Sequence, residues 1–254
     1  MARSDRENRL DTLRKIIKER HTLSKSELLD SVSVSRMTLF RDLEALEEEG
    51  FIEDLYGSVT LKQTDYDLQR YKDVNIENKR KMAQAAARFI QDEDVIFIGA
   101  GTTTLEITRV IVAQEHPVTI ITNFLPVATE TGKHSHINLV MLGGYYHRTT
   151  RSFIGPITRA AINSMSIRIV FFGANGVDLD AGLTGYFADQ CELIREMIRL
   201  SKFSVGVADS TKFGKLSPNR IAYLDQINML ITDSDLSPEF QEGLSQRGFN
   251  FILA

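Results

Sequence analysis

The sequence predicts an α/β protein: a small helical unit followed by a doubly wound α/β domain. Three observations predict it. From Val95 to the end of the chain, short apolar runs alternate with helix-period segments, the pattern of a parallel sheet with crossover helices. Residues 1–61 show three amphipathic helix patterns and then two short β-rich runs. Between the two regions, Lys62 to Asn75 is polar and weakly periodic, as connectors between domains are. The expected organisation is 1–61, a linker 62–75, and 76–254.

Composition narrows the class. The chain has 254 residues, of which 43% are hydrophobic, enough for one large core and a smaller one. Cys191 is the single cysteine, which excludes an intrachain disulfide and fits a reducing compartment. Its environment in the sequence reads as packing. No apolar run is long enough to span a bilayer, and the start, with Arg3, Asp5, Arg6, Glu7 and Arg9, has no signal-like apolar region. A cytoplasmic protein is expected. The five histidines, His21, His116, His134, His136 and His147, lack metal-ligand spacing, so neither a metal nor a cofactor is expected. Charge is uneven. Residues 1–41 carry ten Lys/Arg against six Asp/Glu, and Asp42 to Asp54 then hold seven acids and no base.

In the first region, Leu10, Leu13, Ile16 and Ile17 mark one face of a first helix. Ser24-Lys25-Ser26-Glu27 is a capping box that opens a second helix with Leu28, Leu29 and Val32. After Ser33-Val34, Ser35 is an N-cap for a third helix over Arg36–Glu49, stopped by Gly50. Leu39, Leu43 and Leu46 form its core face. Arg36, Phe40 and Arg41, with Thr38 beside them, lie on the other. Two helices, a tight turn and a third helix opening with Ser, Thr and Arg make a helix-turn-helix layout, whose last helix enters the major groove. There Arg pairs with guanine or phosphate, while Ser and Thr hold phosphates. Phe51-Ile52 and Val59-Thr60-Leu61, around Tyr56-Gly57-Ser58, read as a wing. A small helical interaction module without DNA contact has the same periodicity.

In the second region a helix over Glu77–Phe89 precedes the alternation. Strands are expected at Val95–Ile98, Val118–Thr122, Ile137–Leu142, Ile169–Phe172, Val205–Ala208, Ile227–Thr232 and Phe251–Leu253. Helices are expected at Leu105–Ala113, Val127–Gly132, Ile157–Ser164, Glu192–Ser201 and Pro238–Arg247. Ligands of such sheets bind beyond the carboxyl ends of the strands, where strand order switches. Polar, glycine-rich segments follow the strands there. They are Gly99-Ala100-Gly101-Thr102-Thr103-Thr104, Thr122-Asn123, Gly143-Gly144 with a loop holding His147, Arg148 and Arg151, Gly173 to Asp178, and Asp209 to Gly214. Gly99 and Gly101 allow a tight turn and close approach of a ligand. Thr102, Thr103 and Thr104 set hydroxyls and amides at a helix start, which favours anions. The turn reads as a phosphate cradle or as a plain cap. The ring of segments as a whole reads as a site for a small phosphorylated ligand.

These residues carry a resemblance. Val34-Ser35-Arg36-Met37-Thr38-Leu39-Phe40-Arg41-Asp42-Leu43, with Leu46-Glu47 and Gly50, resembles the recognition-helix signature of the DeoR family of bacterial transcription regulators. Gly101 to Thr104, Thr122-Asn123, Leu142-Gly143-Gly144, Ser152-Phe153-Ile154-Gly155, Gly173-Ala174-Asn175-Gly176 and Asp209 to Gly214 resemble, in order and spacing, the sugar-phosphate sensing domain of that family. The Ser152 to Gly155 loop is most similar to that of the lactose-operon type of repressor in the group. Two departures stand out: Phe40 replaces the usual Arg, and Asp54 to Ser58 lacks the usual basic wing.

The resemblance implies a winged helix-turn-helix joined to an effector domain related to ribose-5-phosphate isomerase. It implies a DNA-binding regulator of a sugar or carbohydrate catabolism operon, a repressor relieved by a phosphorylated sugar. Operator contacts would come from Ser35, Arg36, Thr38, Phe40 and Arg41. The effector would meet Gly99, Gly101, Thr102, Thr103 and Thr104 at its phosphate. The resemblance also puts Lys212 on the ligand. By their places after the strands, Asn123, Arg151, Asp178 and Asp189 are further candidates for the rest of the effector, against a turn role for Asn123 and a solvated loop for Arg151. Paired operator half-sites imply a homodimer or homotetramer. The alternative is an isomerase-like enzyme with an accessory first domain. Isomerase relatives carry a Glu-Lys pair that falls near Ile194-Arg195 here, so the base is missing and no enzyme activity is expected.

Overall fold

The computed structural model describes residues 2–20, 22–32, 34–49, 51–55, 58–61, 74–162 and 165–254. His21, Ser33, the helix stop at Gly50, the wing turn at Tyr56-Gly57 and positions 62–73 of the expected linker lie outside the described residues. The chain divides into two compact units, Met1–Arg70 and Tyr71–Ala254. Among the described residues no helix is long and apolar enough to cross a membrane.

In the first unit, α1 (Ala2–Arg20) buries Leu10, Leu13 and Ile17, the face that the spacing predicts. β1 (Thr22–Ser24) runs into α2 (Lys25–Ser31) through a reciprocal cap. The Glu27 amide donates to Ser24 Oγ at 3.2 Å, and the Ser24 amide donates to the Glu27 carboxylate at 2.8 Å. α3 (Arg36–Glu48) starts at Ser35, whose Oγ accepts from the Thr38 amide at 3.2 Å. Leu39, Leu43 and Leu46 close one core with Leu13, Leu28, Ile52 and Val59. Asp42 belongs by sequence to an acidic run, yet it is only 1% exposed. A buried carboxylate is costly unless it is paired. Arg9 Nε donates to it at 2.5 Å and Arg6 Nε lies 3.5 Å away.

β2 (Ile52–Leu55) and β3 (Ser58–Leu61) pair antiparallel as the expected wing. β1 adds to the other side of β3, giving the order β1-β3-β2. This third strand escapes sequence reading because three residues show no periodicity and the partner lies far along the chain.

The second unit opens with α4 (Ile76–Ala87). β4 (Val95–Ile98), α5 (Thr102–Gln114), β5 (Val118–Thr122), α6 (Leu125–Thr131) and β6 (Ile137–Met141) follow. A hairpin of β7 (Tyr145–His147) and β8 (Ser152–Ile154) leads to α7 (Pro156–Ile162) and β9 (Ile167–Gly173). β10 (Gly176–Asp178), β11 (Gly182–Gly185), α8 (Ala188–Leu200), β12 (Ser201–Val207) and β13 (Asn219–Ala222) come next. β14 (Met229–Thr232), α9 (Pro238–Gln246) and β15 (Phe251–Leu253) complete the unit.

Seven strands form one parallel sheet in the order β15-β14-β12-β9-β4-β5-β6. From β4 the chain builds outward through β5 and β6. It then returns to the other side of β4 at β9 and builds outward through β12, β14 and β15. The order therefore reverses between β4 and β9, the switch point beyond whose carboxyl ends ligands of such sheets bind. β4 and β9 are central and apolar, with Phe97, Ile98, Phe171 and Phe172 fully buried.

In the second unit, stretches that read as loops hold strands. The loop after β6 is the β7–β8 hairpin. The stretch after β9 turns into β10, which joins β11 and β13 in a small antiparallel sheet.

Candidate functional site

The first unit presents the N-terminal half of α3. Arg36, Met37 and Arg41 are exposed, and Thr38 and Phe40 are half-buried. Met37, at 68%, is the large apolar side chain most open to solvent among those described in this unit, and the sequence reading did not count it as a contact. Ser35 and Thr38 are partly occupied already. Their hydroxyls lie 2.8 Å apart, and Ser35 Oγ caps the helix. The C-terminal half of the same face carries exposed Glu44, Glu47 and Glu48. A polyanion is therefore admitted at one end of α3 and repelled at the other.

In the second unit, the turn between β4 and α5 sits at the switch point. The first amide of α5 with an acceptor inside the helix is Leu105, which donates to Gly101 O at 3.1 Å. The amides of Thr102, Thr103 and Thr104 precede it, at the positive end of the helix dipole. The three threonines are not equivalent. Thr102 is half-buried, Thr103 is 8% exposed and Thr104 is closed to solvent. Thr104 Oγ1 lies 2.6 Å from Gly99 O and 2.9 Å from Gly101 O, and donates into this turn. Its hydroxyl fastens the turn and is not presented to a ligand, contrary to the expectation for it. Gly99 also has a different reason to be glycine. A Cβ there would stand 2.9 Å from Ile194 Cδ1 and 3.3 Å from Phe171 O, so the missing side chain serves the packing of α8, not the approach of a ligand. At Gly101 a Cβ would press on Thr104 Oγ1 at 3.2 Å.

Neighbouring strand ends close around this turn. Asn123, after β5, is 1% exposed; its Nδ2 donates to Phe153 O at 2.8 Å, and Phe153 N donates to Asn123 O at 2.8 Å. This ties the β7–β8 hairpin to the end of β5. Asn123 Oδ1 is buried with no hydrogen-bond partner among the described residues. On the hairpin, Thr150 N donates to His147 Nδ1 at 3.3 Å, so the imidazole proton sits on Nε2. Thr150 Oγ1 lies 2.8 Å from His147 Nδ1 and 2.8 Å from Ser152 Oγ. Burial pushes the His147 pKa down, and the charge of Asp189 acts weakly against that. Arg151 adopts φ 52°, in the left-handed region. Its carbonyl accepts from Leu125 N at 3.0 Å. Arg148 is exposed.

The start of α8 forms another wall. Phe187 meets the His147 ring edge-on at 4.5 Å. Asp189 lies exposed in the first turn, and Gln190 Nε2 donates to Ala100 O at 3.4 Å. Lys212 ends the Ser210–Lys212 turn after β12, the strand beside β9, and so stands on the same carboxyl edge.

Asp178 has its carboxylate engaged within its own turn. Its Oδ1 accepts from the amides of Asp180 (2.9 Å) and Ala181 (2.7 Å), closing the β10–β11 turn. Asn175 is the residue after β9 that stands at the switch point, where its Oδ1 accepts from Tyr186 N at 3.4 Å. The sequence reading did not select Asn175, His147 or Gln190. Asn175 lies in the quoted Gly173 to Gly176 motif, which was the available signal. Nothing local distinguishes Gln190, whose place depends on how α8 docks. Cys191 is a packing residue: burial pushes its thiol up to about 11, which leaves it no nucleophilic thiolate near neutral pH. The arrangement suits an anion with attached hydroxyl groups, held by amides, threonine hydroxyls and carboxamides.

Comparison with known proteins agrees with both halves. The DeoR-like helix-turn-helix domain matches residues 9–65, and the DeoR C terminal sensor domain matches residues 74–234. The chain is 32% identical to the HTH-type transcriptional regulator IolR of Bacillus subtilis, over 97% of this chain and 98% of that one. It is 30% identical to the lactose phosphotransferase system repressor of Lactococcus lactis subsp. lactis, over 95% and 96% of the two chains. Among solved structures it is similar to ribose 5-phosphate isomerase A of Methanocaldococcus jannaschii, with 20% identity, 55% of each chain covered and a TM-score of 0.41. With a helix-turn-helix unit and a sensor unit each matched along most of its length, the chain belongs to the DeoR family and is a DNA-binding transcriptional regulator.

Proposed function

We propose that the protein represses a carbohydrate-catabolism operon and releases it when a phosphorylated sugar binds at the β4–β9 switch point. The observation that carries this reading is the amide-rich start of α5 in the switch-point crevice, within a chain that also holds a DNA-binding unit. Similarity to a lactose phosphotransferase system repressor supports the sugar assignment. In this reading the operator meets Ser35, Arg36, Thr38, Phe40 and Arg41. The phosphate rests on Gly101, Thr102 and Thr103, and Gly99 and Thr104 shape their turn. Asn123, Arg151, Asp189 and Lys212 face the sugar, and Asp178 supports the loop that follows β9. The regulator works in the cytoplasm as a homodimer or homotetramer, because two half-sites need two heads.

No catalysis is part of this reading. An isomerase needs a carboxylate able to take a proton near neutral pH. On α8, Glu192 is ion-paired with Arg159. Glu196 bonds to Arg199, which holds its carboxyl below the usual range.

The test is operator release titrated with a panel of sugar phosphates and the matching free sugars. Release by a phosphorylated sugar alone is expected. Hydrogen bonds to a charged group are worth roughly 1.5–3 kcal/mol each, so losing two in Thr102→Ala/Thr103→Ala should weaken the effector by about two to four powers of ten. Operator affinity without effector should stay unchanged. Equal response to free sugar, or a normal response in the double variant, would place the effector elsewhere.

A further inference from the structure

Two cations from two different helices converge on one aromatic ring in the DNA-binding unit. Lys25 opens α2 and Arg36 opens α3. Lys25 Nζ lies 4.9 Å from the centroid of the Phe40 ring, and Arg36 Cζ lies 5.6 Å from it. Both are within the ~6 Å over which a cation is attracted to a ring face. The ring does not fill the core, since Phe40 is half-buried while its neighbours Leu39 and Leu43 are closed. Its planar side chain turns about few bonds, whereas a lysine stem turns about many. Lys25 held over the ring therefore has less freedom left to lose on gripping a phosphate.

Charge points the same way. Exposed Glu44, Glu47 and Glu48 keep a polyanion off the far half of α3, so DNA approaches the half where Lys25, Arg36 and Arg41 stand. In a helix-turn-helix the helix before the recognition helix crosses the backbone, which is the place of α2 and Lys25.

We propose that Phe40 is an aromatic platform that holds Lys25 and Arg36 as a paired clamp on one run of DNA phosphates, and that Phe40 itself reads no base. The proposal rests on the DNA-binding reading of the first unit and adds Lys25 to its contacts.

The experiment measures duplex binding by the full chain by fluorescence anisotropy, from about 50 to about 200 mM salt. One duplex is selected by the wild-type chain from a random pool, and the other is unrelated. Lys25→Gln should weaken both duplexes by the same factor and make the slope of log affinity against log salt shallower by about 0.9. Phe40→Leu should weaken both by roughly two- to fivefold, and by less when Lys25→Gln is already present. Phe40→Tyr keeps the ring and should bind like wild type. Thermal melting of each variant checks the fold, and Lys25→Gln with Phe40→Tyr keeps the test standing should Phe40→Leu not fold. An unchanged salt slope in Lys25→Gln, or a Phe40→Leu loss confined to the selected duplex, overturns the clamp while DNA binding stands. Absence of salt-dependent binding by the wild-type chain overturns the reading beneath it.

Discussion

Thr102 and Thr104 share one helical turn and do opposite work. Thr102 is half-buried at the start of α5, whereas Thr104 is closed and spends its hydroxyl on Gly99 O and Gly101 O. Thr104→Val keeps the shape and takes the hydroxyl donor from Gly99 O, while Gly101 O keeps the Leu105 amide, so a loss of about 1–3 kcal/mol is expected in denaturant unfolding. Thr102→Ala should stay within about 0.5 kcal/mol of wild type. Similar stability losses in the two variants would show that the hydroxyl of Thr104 is not what holds the turn. His147 gives a pH signature. Burial lowers its pKa below the ordinary 6.5, so below that pH the unfolded chain binds the proton that the folded chain resists. Its contribution to stability is complete above about pH 6.5 and is lost as pH falls toward the folded value. The melting temperature of the second unit should therefore fall more steeply below pH 6.5 in wild type than in His147→Gln, and parallel curves would refute the assignment.

At the scale of elements, legibility followed locality. β4 and β5 read to the residue, because Val95–Ile98 and Val118–Thr122 are apolar runs bounded by Gly99 and Pro117. The Ser24 box and the Ser35 cap were equally plain, since a cap is a relation across three residues. The β10-β11-β13 sheet was not legible. Gly176–Asp178 and Gly182–Gly185 are short and glycine-rich, and β13 arrives from beyond α8 and β12. α8 was read from Glu192 but begins at Ala188, and that missing turn carries Asp189 and Gln190 into the site. The candidate site was thus legible where a polar turn follows a strand directly, as at Gly101 and Asn123. It was hidden where docking decides, as at Gln190 and His147. The contact between α8 and β4 can be tested. Gly99→Ala sets a methyl 2.9 Å from Ile194 Cδ1, and such overpacking typically costs about 1–3 kcal/mol. Ile194→Val removes that Cδ1, so the double variant should recover part of the loss. A double variant no more stable than Gly99→Ala would mean that Phe171 O is the harder wall.

For the whole molecule the question is how a ligand in one unit alters the grip of another. A ligand shifts an equilibrium only by its difference in affinity between two states. If the DNA-binding and DNA-releasing states differ at the β4–β9 crevice, effector and operator are linked through them, whatever the geometry of the link. Linkage is reciprocal: the factor by which the effector weakens operator binding must equal the factor by which the operator weakens effector binding. Couplings of this kind typically run from about 5- to about 150-fold. The measurement uses the full chain and the sugar phosphate found active in the release assay. Operator affinity is titrated with and without saturating effector, and effector affinity is titrated calorimetrically with and without saturating operator duplex. Equal factors are expected in wild type. Thr102→Ala/Thr103→Ala should weaken the effector in both titrations, so that far more is needed for release, while leaving the operator affinity of the effector-free protein alone. If instead the effector weakened the operator while its own affinity ignored the duplex, release would have to come from a second binding event, such as competition at the basic end of α3. The switch-point crevice would then not be the sensor.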